Sequence, residues 1–153
     1  MEELKARVKD REDLEDRIAE LGGNKKKLIS VRDTYFSGQG EDALKITESK
    51  DGSFLRKYEK RSEGFELVKD ERIKEPDEKR EEMAERHGIK ADQRKEQEVY
   101  ELNGKTVILN SIEGLGDFLI VQGEEVQKKF IEDTIGVEDP EYIEVPFSEL
   151  EQE

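Results

Sequence analysis

Several segments of this chain alternate between apolar and charged side chains, which concentrates ionic groups on one face of an extended backbone. In EELKARVK (2–9), Leu4, Ala6 and Val8 fall on one face, and Glu3, Lys5, Arg7 and Lys9 fall on the other. In ALKITES (43–49), Lys45 and Thr47 oppose Leu44 and Ile46; in FLRKYEKR (54–61), Arg56 shares the parity of Tyr58. Two arrangements give such a pattern. Either a sheet turns its polar face to water, or a barrel closes with its polar face inward around a hydrophilic ligand. Strand count and spacing alone leave both open. Other chemistries are excluded by composition. The chain has no cysteine, hence no thiolate nucleophile or thiolate metal site, and its single histidine, His87, rules out a multi-histidine metal site. His87 falls at the end of a polar helix, where an imidazolium favours the helix dipole.

The elements that must position these side chains follow from periodicity and turn chemistry. REDLEDRIAEL (11–21) is helical, with Leu14, Ile18 and Leu21 in register, Asp10 as cap and Gly22-Gly23 as stop. Strands are expected over 28–36, 43–49, 54–61, 65–73 and 91–102, with hairpin turns at Lys50–Ser53 and Asn103-Gly104. KTVILNSI and FLIVQ flank IEGLGDF (112–118), whose glycines permit a tight bend. Pro76 suits the first turn of a second helix ending at Gly88, whose thin apolar stripe fits a solvated helix or a mobile lid. A third helix is expected over 124–136. The sum is an α+β chain of about eight strands, mostly antiparallel, with about three helices.

With 153 residues the chain has the size of one domain. Residues 1–136 form the expected folded unit, and 137–153 an acidic C-terminal tail, partly packed or flexible. Net charge is −14, which disfavours nucleic acid and anionic membrane as partners unless a basic site is focused locally. No apolar run is long enough for a membrane helix and the N-terminus has no signal-peptide core, so a cytoplasmic protein is expected.

The order of elements, with ELKARV, RDTYF (32–36), ALKI, VYELNGKTVIL (99–109) and IEGLGDFL (112–119), resembles the CYTH, or triphosphate tunnel, superfamily. That group includes class IV adenylate cyclases and thiamine triphosphatases. The resemblance covers roughly residues 2–122. It implies an antiparallel eight-stranded barrel forming a tunnel, in which basic side chains bind a triphosphate and carboxylates hold Mg²⁺ or Mn²⁺. Carried over residue by residue, it points to Lys5, Arg7, Lys45, Arg56 and Lys95 for phosphate, and to Glu3 and Asp70 for metal.

The chain departs from the family pattern at the carboxylates. The first Glu of the ExExK motif falls on Met1. Asn110, Ile120 and Gln122 stand where the family carries acidic residues, Thr47 replaces a basic residue, and Gln97 stands beside Lys95 in place of a second one. Too few oxygen ligands remain for the usual metal arrangement. The leading expectation is a protein that binds a triphosphate, nucleotide or other phosphoanion without the usual catalysis, and without a certain cofactor. The alternatives are a Mg²⁺- or Mn²⁺-dependent triphosphatase or class IV adenylate cyclase-like enzyme, and a scaffold whose acidic surface meets a basic protein partner. Monomer and homodimer are both compatible with the sequence.

Overall fold

In the computed structural model, which describes residues 1–150, eight antiparallel strands close into a barrel. The strands are β1 (Glu2–Arg7), β2 (Asn24–Phe36), β3 (Ala43–Ser49), β4 (Gly52–Lys60), β5 (Phe65–Ile73), β6 (Ile89–Leu102), β7 (Lys105–Ile112) and β8 (Gly116–Gly123). Around the barrel they run β1-β5-β4-β3-β2-β6-β7-β8, and β8 pairs back onto β1. Helix α1 (Arg11–Glu20) links β1 to β2, and α2 (Pro76–His87) links β5 to β6. The barrel of the resembled family is therefore the arrangement adopted, not an open sheet with a wet face.

The alternation explains why. The outward faces of β1, β3, β7 and β8 are apolar and covered, and the inward faces mix the ionic groups with apolar side chains such as Ile29, Val31, Ile108 and Ile120. Leu4, Tyr100, Val107, Leu109, Leu119 and Val121 pack under Leu14 and Ile18 of α1 and under Ile131 and Ile135. Phe36, Leu44, Ile46 and Leu55 pack under Met83, the one fully buried residue of α2. Arg80 anchors the same helix by donating to Thr34 Oγ1 and to the carboxylates of Glu48 and Asp77. A third cluster fills one end of the interior, and includes Tyr35, Ala43, Phe65, Ile112, Phe118, Ile143 and Phe147.

The tight turns form where the sequence places them. Asn103 and Gly104 both take positive φ, as a two-residue hairpin turn requires. Gly114 (φ 82°) and Gly116 (φ 111°) carry the bend of IEGLGDF, so that Ile112 pairs with Gly116. The expected third helix is shorter than its sequence span. Glu124–Gln127 are not helical, and Phe130–Ile135 form a π-helical segment closed by left-handed Gly136. Beyond it the chain returns to β1: Ile143 N donates to Lys5 O at 2.8 Å, and Arg7 N donates to Glu141 O at 2.9 Å. β5 pairs with β1 only at Glu2 and Glu3, so this returning segment occupies the backbone edge that β5 leaves open. A short 3₁₀ turn, Phe147–Glu149, follows, with Phe147 buried. Residues 151–153 of the acidic tail lie outside the described residues.

Candidate functional site

The barrel encloses a cavity of about 250 Å³. Every strand but β5 contributes through its alternate inward residues, and β5 contributes Phe65. Five basic side chains line it (Lys5, Lys27, Lys45, Arg56, Lys95) against three carboxylates (Glu3, Asp33, Asp51). A molecule of net charge −14 thus carries a cavity whose lining is net basic. Low-dielectric walls concentrate such a field on whatever enters.

Asp33 is the centre of the basic group. Its carboxylate is 1% exposed, and one oxygen accepts from Lys45 Nζ at 2.9 Å and from Lys95 Nζ at 2.6 Å. Thr47 Oγ1 donates to the other oxygen at 2.6 Å, and Lys95 also donates to Tyr35 Oη at 2.9 Å. Burial alone would raise the Asp33 carboxyl, but the two ammonium groups outweigh it and hold it well below the usual carboxylate range. The same pairing overcomes the burial of Lys45 and holds its ammonium well above the usual lysine value.

Lys5 is built differently. It is 4% exposed, and the one hydrogen bond its ammonium makes among the described residues is to Val145 O at 2.8 Å. The ammonium lies 4.3 Å from the ring centres of both Phe65 and Phe147. Burial is the main reason its value falls from 10.5 to about 7; Lys95 and Lys45 add to the fall, while Glu3 opposes it. At neutral pH Lys5 is therefore poised between charged and neutral.

The other residues singled out in the sequence divide by position. Arg56 lines the cavity near its Lys27–Asp51 mouth, with its Nε 3.0 Å from Asp70 and its guanidinium over Phe54. Asp70 does not join the cavity. A bulge between β4 and β5 brings it into register with Arg56, but it sits at the rim, where it is the exposed counter-ion of Arg56. Arg7 also lies outside the cavity lining. Its Nε pairs with Glu141 at 2.6 Å, because the returning C-terminal segment reaches that end of β1 first. Glu3 does line the cavity, and accepts from Gln122 Nε2 at 2.9 Å.

The wall formed by β1, β7 and β8 is the site for a divalent ion in the resembled family. Here Ile120 and Gln122 face the cavity, and Asn110 sits on the inward parity, completely buried. Neither polar atom of the Asn110 side chain has a hydrogen-bond partner among the described residues. Asp33 is saturated by lysines, and Glu3 is capped by an amide. No cluster of three or more Asp, Glu, His or Cys that could hold a metal occurs among the described residues. These donors do not fit Mg²⁺ or Mn²⁺, which need several oxygen ligands at one point.

Asp33 escaped notice in the sequence, yet it left a signal. It shares strand parity with Ile29, Val31 and Tyr35, so an acid sits on a face otherwise made of buried apolar groups. A carboxylate in that position needs buried cations. Tyr35, which reads as a packing residue, proves to be both packed and bonded to Lys95.

Solved structures share this architecture. PH1012 protein from Pyrococcus horikoshii superimposes with a TM-score of 0.81 at 27% identity, over 98% of this chain and 99% of its own. A candidate adenylate cyclase from Vibrio parahaemolyticus gives 0.63 at 12% identity, over 87% and 80%. A candidate adenylyl cyclase from Hippeastrum, described as having a dominant triphosphatase activity, gives 0.60 at 15%, over 88% and 84%. No family model matches the chain, and no curated protein does either. The chain has the closed-barrel fold of the CYTH, or triphosphate tunnel, superfamily that its sequence resembles.

Proposed function

We propose that this protein binds a small phosphoanion, such as an oligophosphate or the phosphate chain of a nucleotide, inside its barrel without the metal-dependent chemistry of the resembled family. The observation that carries this reading is the convergence of Lys5, Lys45 and Lys95 on one enclosed cavity in which β7 and β8 present no carboxylate. Lys45 and Lys95 share a single counter-charge, and among the described residues Lys5 has none in direct contact. An entering phosphate would supply the missing negative charge and raise the affinity of Lys5 for its proton. The volume suits a phosphate chain better than a fully enclosed nucleotide, since ligand pockets usually run from roughly 300 to 1,000 Å³.

A second reading, a metal-dependent triphosphatase or cyclase, is favoured by the likeness to the Hippeastrum protein. It requires metal ligands that the β1-β7-β8 wall does not offer. The test is direct. Purified protein is incubated with tripolyphosphate, thiamine triphosphate and ATP, with Mg²⁺ or Mn²⁺, while released phosphate and cyclic AMP are assayed. Titration calorimetry is run in parallel with Lys45→Ala. Metal-independent binding that weakens in the variant, without turnover, is the expected result. Turnover that depends on Glu3 would replace this reading with the enzyme. Absence of any anion binding would leave the barrel as a scaffold, with its acidic surface open to a basic protein partner.

A further inference from the structure

Within that reading, one buried group opposes the binding it surrounds. We infer that Asp33 is a built-in counter-ion: its carboxylate holds the place between Lys45 and Lys95 that a ligand oxygen would take, and so limits how tightly the cavity holds an anion. The inference rests on the phosphoanion reading and adds to it the residue that tunes affinity. The geometry is that of a bound acid. One carboxylate oxygen bridges two ammonium groups at 2.9 and 2.6 Å, a hydroxyl satisfies the other at 2.6 Å, and the group is sealed from water. These are the contacts a phosphate oxygen would make with the same two lysines.

The two lysines are not equally committed. The Lys95 side chain is 1% exposed and also bonds Tyr35, whereas the Lys45 side chain keeps 15% exposure. An anion entering the cavity therefore meets Lys45 before Lys95, with the Asp33 charge bonded to both. The carboxylate keeps two buried cations tolerable when the cavity holds no anion. In exchange it repels the ligand, so that binding stays exchangeable. Removing its charge strengthens the attraction, and strengthens it more for anions of higher charge.

The test uses inorganic tripolyphosphate and orthophosphate as probes, at about pH 6 so that free lysines stay protonated. The Asp33→Asn variant keeps the shape of the side chain and the hydrogen bond from Thr47. Its expected affinity for tripolyphosphate is roughly tenfold or more above that of the wild type, with a smaller gain for orthophosphate. A purely structural Asp33 gives equal or weaker binding in the variant, and that result overturns the inference while leaving the phosphoanion reading intact. If neither protein binds tripolyphosphate, both fall together. Should the variant fail to fold, carboxyl carbon NMR of the wild type decides. A counter-ion released by the ligand shifts the Asp33 Cγ resonance on titration, and an unmoved resonance refutes it.

Discussion

Two walls of one cavity have had opposite fates. On β2, β3 and β6, Asp33, Lys45, Thr47, Lys95 and Tyr35 form a closed network in which each ionic group finds a partner. On β7 and β8, Asn110 has two buried polar atoms with no partner among the described residues, and Ile120 presents a hydrocarbon where the resembled family has an acid. The first wall is what a barrel needs to hold charge in a dry interior. The second carries no charged side chain on its inward positions. A cavity can keep its affinity for anions and lose its grip on cations without changing its fold, because each wall is set by alternate residues of different strands.

The largest effect separating the walls is expected at Asp33. Asp33→Ala leaves two ammonium groups facing each other in a buried site, and breaking such a pair costs about 3–5 kcal/mol. Urea unfolding measures it. A loss under about 1 kcal/mol would mean that water already solvates the lysines.

The depleted wall can instead be refilled. The double variant Ile120→Glu, Gln122→Glu places two acids on cavity-lining positions beside Glu3, which pairs with Gln122, and is expected to bind Mn²⁺ at the weak, roughly millimolar end of oxygen-ligand sites. Wild type shows no such binding in the same calorimeter. If wild type binds Mn²⁺ as tightly as the variant, the contrast between the walls is lost.

Lys5 links the walls and gives the pH dependence. Its value in the folded protein is about 7, against 10.5 ordinarily, so below about pH 7 both states hold the proton and the burial cost is felt in full. Stability then rises as pH climbs from about 7 toward 10.5, because the unfolded chain holds more protons in that window. Lys5→Met abolishes this rise, as seen in the difference between wild-type and variant urea midpoints at about pH 6 and about pH 9. Glu3, Lys45, Lys60 and Lys95 contribute to the same field and remain in both proteins, so the difference isolates Lys5.

The smallest effect concerns Asn110. Replacing it with Leu removes two unsatisfied polar atoms, and is expected to be neutral or stabilising by about 1 kcal/mol. A loss greater than about 2 kcal/mol would reveal a partner for the amide, such as a buried water.

The strands and turns were legible because their rules are local, whereas the closed barrel was implied by the family resemblance. Alternation in 2–9 and 43–49, the Asn103-Gly104 turn and the capped α1 each announce themselves within a few residues. Alternation could not say which face turned inward; that depended on helices covering the apolar side. The start of β2 was hidden for the same reason. Asn24–Lys27 is a run of polar and basic residues with no period, and it extends only because β6 offers a partner. Among the candidate residues, Lys5, Lys45, Arg56, Lys95 and Glu3 reach the cavity by strand parity. Arg7 and Asp70 do not: the returning C-terminal segment engages Arg7, and Asp70, though paired across the strands with Arg56, lies at the exposed rim. The insertion of Phe147 against Phe118, with ring centres 4.9 Å apart, likewise pairs residues too distant in sequence for a local pattern to reveal.

The central claim is that the cavity binds a phosphoanion through its basic wall alone. Titration of tripolyphosphate in chelator, and again with excess Mn²⁺, tests it most directly. The account predicts one site per chain in chelator, an equal or weaker affinity in excess Mn²⁺, which pairs with the ligand and lowers its charge, and no phosphate released. An affinity that appears only with Mn²⁺, accompanied by phosphate release that stops in Glu3→Gln, would contradict it.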